Sequence, residues 1–176
     1  MKRITQYITL FILFFSVTSC NDWLDVTPAS QVPEEDQFKD EPGFRQALIG
    51  CYIGMASETL YGKNLSWYVL DVQDGKYDLY PSAQVYPMAA YQYKHVRATP
   101  IIDAVWLNAY NIIANANNAL KFIEKRSNVL DPVSYKVIKG ELLAIRAMLH
   151  FDLMRIYGYG DLASRTDKET KLTIPY

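Results

Sequence analysis

Between residues 99 and 157 the chain carries two apolar stripes at helical spacing, separated only by the link Ser127 to Leu130, and this constrains the fold more than anything else in the sequence. In the first stripe Ile102, Trp106, Ala109, Ile113, Ala116, Leu120 and Ile123 recur at alternating intervals of four and three. That is the period of one packed helix face. Tyr135, Ile138, Leu142, Ile145, Leu149, Leu153 and Ile156 repeat it in the second. Both open on a start signal, Thr99-Pro100 and Asp131-Pro132, a capping residue followed by proline at the first helical position. Gly158 supplies the stop. A link this short predicts an antiparallel αα-hairpin. Leu143, Ala147, Met148 and Phe151 lie off the main stripe, so the hairpin is expected to be covered on more than one side.

An earlier helix is predicted from Asp40, a good N-cap with Pro42 in the first turn, to about Ser57. Phe44, Leu48, Cys51, Tyr52 and Met55 form its apolar stripe, and Cys51 reads as an inert core residue. The implied class is mainly α, with stacked helix pairs of the tetratricopeptide kind.

The first 19 residues read differently. Lys2 and Arg3 precede an apolar block from Ile8 to Val17, the pattern of an export signal, and the run is too short to span a bilayer. Val17-Thr18-Ser19-Cys20 is similar to the bacterial lipobox, in which cleavage precedes a cysteine that is then lipidated. Cys20 is thus the expected lipidation site and outer attachment point, since two or more acyl chains hold a protein stably on a membrane. Residues 20–39 read as an extended tether, with two prolines and scattered acids. Cleavage removes two of the 18 basic residues and none of the 19 acidic ones. A mildly acidic body lacks the basic footprint of a nucleic-acid binder.

From Glu58 to Ala98 the pattern changes to seven tyrosines with Trp67, Asp71, Asp74 and Asp78. The segment reads as a long ordered excursion without helical period, Trp67 to Val72 being a short strand or extended piece and Asp74-Gly75 a turn. Long loops in small domains commonly carry function. Asp74, Tyr77, Tyr80, Tyr91 and Tyr93 are the candidate ligand-binding residues: ring faces can lie against the C–H face of a sugar while carboxylates and hydroxyls hold its OH groups. The same amphipathic rings suit a protein interface or plain packing.

Motifs for catalysis are missing. The sequence has no G-x-S-x-G, H-E-x-x-H or C-x-x-C and no phosphate-cradling glycine loop. Asp71, Asp74, Gly75 and Asp78 fail the one-three-five spacing of a calcium loop. No enzyme, cofactor or metal is expected. His150 reads as a partly exposed packing histidine, Asp152 and Arg155 as a surface pair three residues apart, and Glu141 and Arg146 as bridges to neighbouring elements.

Three blocks in order carry a family resemblance: Cys20-Asn21-Asp22-Trp23-Leu24-Asp25; Trp106-x3-Tyr110-x4-Asn115-x-Asn117-x2-Leu120-x2-Ile123; and Gly140-Glu141-x4-Arg146-Ala147-x3-Phe151-x-Leu153-x-Arg155-x-Tyr157-Gly158. Together they resemble the N-terminal part of the SusD/RagB family, lipoproteins of the Bacteroidota outer membrane. The resemblance implies a helical protein seated on a SusC-like TonB-dependent transporter barrel at the cell surface. It would capture glycan or another nutrient and hand it on without breaking a bond. The alternative is a tetratricopeptide-like interaction scaffold that binds protein only. Family members continue well past Leu172-Thr173-Ile174-Pro175-Tyr176, which resembles an internal Gly-x-Pro segment with Thr173 in the glycine place. The expectation is therefore an N-terminal helical region, residues 40–176, of a longer protein.

Overall fold

The computed structural model describes residues 32–176 except 162, 168, 171 and 172. The expected export signal, Cys20 and residues 20–31 of the expected tether lie outside the described residues. Contacts divide the chain into two units, residues 1–36 and 37–176. Where an extended tether was expected, Glu34–Gln37 form a helical turn, α1, with acids at its first three positions. Negative side chains favour a helix start.

The second unit is built on three helices. α2 spans Glu41–Met55, and the Asp40 carboxylate accepts from the Gly43 amide, as the sequence predicts. α5 spans Thr99–Lys125 and α6 spans Pro132–Tyr157, with a 3₁₀ turn at Ser127–Val129 between them. Asp131 caps α6 by accepting from the amides of Val133 and Ser134. Among the described residues there is no strand. Phe38, at the end of the expected tether, is instead a core residue, its ring stacked 4.8 Å from that of Phe122.

Cross-bonds give the helix directions. Lys139 pairs with Glu124, Arg146 donates to Asn117 Oδ1 at 3.1 Å, and the Tyr157 hydroxyl donates to the Ile102 carbonyl at 2.7 Å. The numbers rise on one helix as they fall on the other, so α5 and α6 are antiparallel. α2 and its continuation run parallel to α6: Arg45 donates to Ser134, Tyr52 to Glu141 and Tyr61 to Asp152, at 2.9, 2.7 and 2.6 Å. Between them lies one core that includes Phe44, Leu48, Cys51, Ala109, Ile113, Ala116, Ile123, Ile138, Leu142, Ile145, Leu149 and Leu153. Each fully buried large aliphatic contributes roughly 1.5–3 kcal/mol. Packing of this kind, more than helix propensity, stabilises helices in proteins. A Cβ on Gly54 would stand 3.0 Å from the Ile112 side chain, so glycine lets α2 approach α5. Burial pushes the Cys51 thiol pKa upward, which keeps it inert.

Several local expectations change. Thr99 is not the cap of α5 but its first residue, with Ala98 at the cap position, and its hydroxyl turns back to the carbonyls of Tyr93 and His95. Turn bonds from 95 onward have already started the helix. Tyr52 leaves the α2 stripe for solvent, where Glu141 accepts from its hydroxyl and raises its pKa. His150 is buried, with Nδ1 2.8 Å from the Arg146 carbonyl. Asp152 does pair with Arg155, but it is a buried residue, held also by Tyr61. The hairpin is not covered on every side: Val133, Val137, Leu143, Met148, Phe151 and Met154 stand exposed along α6.

Candidate functional site

Residues 58–98 leave the end of α2 and return to the start of α5. Their first half is helical where an extended piece was expected. Asn64–Tyr68 form a π turn that runs into α3, Val69–Gln73. Buried Leu65, Val69 and Val72 explain this, because positions i, i+4 and i+7 share one helix face, whereas a strand would turn Val69 and Val72 to opposite sides. Gly75 has φ +72°, so the predicted turn is present and glycine suits it. A further short helix, α4, spans Tyr86–Ala89. Val69, Val72, Val85, Met88 and Ala98 form a small core of their own, with Ile101 and Ile102 of α5 packed against it.

The second half is closed by side chains bound to backbone. Arg97 donates to the carbonyls of Pro81, Ser82 and Ala83 at 3.3, 3.2 and 2.8 Å. A guanidinium with five donors suits this role.

On this base the four tyrosines picked out from the sequence all face solvent. Tyr77, Tyr91 and Tyr93 are nevertheless pinned. Tyr77 donates to the Trp67 carbonyl at 2.9 Å and Tyr91 to the Gln73 carbonyl at 2.7 Å, while Tyr93 accepts from Gln73 Nε2 at 3.1 Å. The Tyr91 and Tyr93 rings meet edge to face, centroids 6.3 Å apart. Tyr91 takes φ 55°, an uncommon angle for a residue with a side chain. Tyr80 is 82% exposed. Asp74 caps α3 and faces Lys76 at 3.5 Å, as Asp71 does at 3.2 Å. The Asp71 hydrogen bond, followed by the field of both carboxylates, raises the Lys76 pKa.

One group thus gathers Tyr91 and Tyr93 around Gln73, a second ties Tyr77 to the backbone of the exposed Trp67, and Asp74, next in the chain to Gln73, faces Lys76 instead of the rings. Gln73 was passed over in the sequence because one glutamine before a turn carries no pattern. Trp67 stands in the sequence among the aromatic residues of the excursion without being one of the candidate contacts. Pinned, solvent-facing rings offer flat apolar faces, and the nearby carboxylates and amide offer hydrogen bonds. Among the described residues no group of three histidines, cysteines or carboxylates could hold a metal ion. Nor is any described helix long and apolar enough to cross a membrane.

Two proteins of Formosa agariphila are similar to this chain. SusD-like protein P25 is 23% identical over 166 residues, 89% of this chain and 31% of the relative. SusD-like protein P2 is 24% identical over 160 residues, 86% of this chain and 29% of the relative. The chain therefore spans about a third of the length of these relatives. No solved structure matches. The family described as "Starch-binding associating with outer membrane" matches residues 22–176, which include the whole of the helical body and its excursion, and the chain belongs to this SusD-like family.

Proposed function

We propose that the protein captures a glycan or similar nutrient oligomer at the outer membrane, with Asp74, Tyr77, Tyr80, Tyr91 and Tyr93 as the contact residues on this chain. One observation carries the reading: three of the four tyrosines are exposed and yet fixed by hydrogen bonds at their hydroxyls. Rings already held in place lose little freedom when a ligand settles on them. The bound ligand leaves unchanged, because neither the residues nor the family description names a reaction. Delivery to a SusC-like TonB-dependent transporter, and attachment through a lipidated Cys20 with the body facing the exterior, complete the proposal. Residues 1–19 would be the cleaved signal, and residues 40–176 the helical region.

The test is a glycan and peptide array followed by product analysis. Alanine pairs at Tyr77/Tyr80 and Tyr91/Tyr93 are expected to weaken binding by about tenfold or more per pair, from stacking energies near 1 kcal/mol per ring, with helical content unchanged. Turnover of any ligand, or full binding by both pairs, would refute the assignment. Replacing Cys20 with alanine should abolish labelling by a fatty-acid analogue.

A second reading, a scaffold that binds protein only, is favoured by the exposed apolar residues along α6. Loss of function from charge placed at Met148 and Phe151, with the tyrosine pairs silent, would select it.

A further inference from the structure

A cavity of about 440 Å³ lies where the excursion meets the ends of α5 and α6. Leu65, Val69 and Met88 line it from the excursion, Ile101, Ile102 and Val105 from α5, and Ile156 from α6. Its polar side chains are Gln73, Tyr93 and Tyr157, and no charged residue contributes to the wall. The Tyr157 hydroxyl is already engaged, donating to the Ile102 carbonyl. What remains is the Gln73–Tyr93 hydrogen bond, whose partners are both solvent-accessible.

The lining decides what fits. A volume in the range of small-ligand sites, with mostly aliphatic walls and few polar groups, suits a compact apolar guest. A charged group would be desolvated with no counter-charge, and a bare sugar ring would leave several hydroxyls unpaired among aliphatic side chains. Tyr93 is shared, being both a wall of the cavity and one of the paired rings of the candidate site. A second cavity of about 310 Å³, beyond Ile101, differs in including Glu58, Lys63 and Asn64, and it does not share this chemistry.

We propose that the larger cavity binds a neutral aryl or short alkyl group, carried as a substituent on the ligand that rests on Tyr91 and Tyr93. The placement of that substituent rests on the glycan reading above; the chemistry of the cavity does not. The ligand class narrows from glycan to glycan bearing an apolar ester or glycosidic cap.

The experiment uses the whole chain with ¹³C-methyl methionine, since the Met88 side chain is buried in the cavity wall and reports occupancy directly. Methyl benzoate alone should shift the Met88 methyl signal saturably. Ile101→Phe and Ile156→Phe, at two half-buried wall positions, should each fill the space and abolish that shift while the helical spectrum stays native. 4-Nitrophenyl maltoside should bind at least about tenfold more tightly than methyl maltoside to the unmodified chain, and equally to the filled variants. No Met88 shift with methyl benzoate, or a shift that survives in both folded variants, overturns the proposal. So does equal affinity for the two maltosides. If no glycan of the array binds while methyl benzoate behaves as expected, the cavity assignment stands and the glycan reading falls.

Discussion

Across α2, α5 and α6 the chain is fixed by buried side chains three and four residues apart, Ile138, Leu142, Ile145 and Leu149 meeting Ala109, Ile113 and Ala116 in one continuous core. Between Gly75 and Thr99 the same task falls mainly to polar side chains that reach backbone carbonyls: Arg97 to residues 81–83, Tyr91 to Gln73, and Thr99 to Tyr93 and His95. Only Val85, Met88 and Ala98 of this segment enter a buried hydrophobic cluster, which Val69 and Val72 complete. A core held by volume resists opening as a unit, whereas solvent can compete for each exposed hydrogen bond. Segments of the second kind open locally at small free-energy cost. They are also where a binding surface can be shaped without disturbing the rest.

The contrast can be broken by substitution. Leu149→Ala removes a side chain that is 1% exposed and should cost about 2–5 kcal/mol, seen as a lower urea midpoint for the whole chain. A loss below 1 kcal/mol would mean that the frame is not packed as described. Tyr61→Phe comes next, because it leaves the buried Asp152 without one of its donors, at about 1–3 kcal/mol. Burial first, and then the bond to Asp152, raises the Tyr61 pKa above its ordinary 10.0. The unfolded chain therefore ionises first, so stability is full below pH 10 and falls as pH rises beyond it. Alkaline titration of unfolding should show a shallower fall in Tyr61→Phe.

Arg97→Met should lower global stability by less than about 1 kcal/mol, since its bonds are partly exposed. Limited proteolysis between residues 76 and 97 should nevertheless accelerate severalfold. Equal proteolysis of both forms would place the excursion in the same cooperative unit as the frame. The smallest effect is at Asp131. Hydrogen bonds from Ser134, side chain first and then backbone, with Val133 behind them, hold its carboxyl below the ordinary 3.8. Its contribution is present above that value and disappears as pH falls through the lower folded one. Asp131→Asn, which still caps a helix well, should melt slightly below the original chain at pH 7, with the gap closing as the pH falls below 3.8.

The frame was legible because it repeats. Stripes, caps and the short link in residues 99–158 placed two helices to within a residue or two, and Asp40 placed the third. The errors fall where one short feature must outweigh its neighbours. Leu65, Val69 and Val72 do mark a helix face, but three positions among tyrosines form too brief a period to stand out. His150 and Asp152 are polar letters beside an apolar stripe; Asp152 is held by Tyr61, and His150 lies against the rings of Tyr110 and Tyr176, partners that no local pattern reveals. The candidate contact residues stand out in the sequence by type alone. That Gln73 would tie Tyr91 to Tyr93, or that Tyr93 would also wall a cavity, depends on how separate segments meet.

The parallel bonds of Arg45, Tyr52 and Tyr61 to Ser134, Glu141 and Asp152 join residues 89, 89 and 91 positions apart. Such near-constant spacing behaves as a ruler. One residue inserted within α2 turns everything before it by about 100° relative to everything after it and strips the ruler of its marks. The same insertion among residues 79–84 displaces only the row of carbonyls that Arg97 gathers. Length variation is thereby steered away from the frame and into the excursion, so that descendants of this chain can reshape the excursion while keeping how they stand.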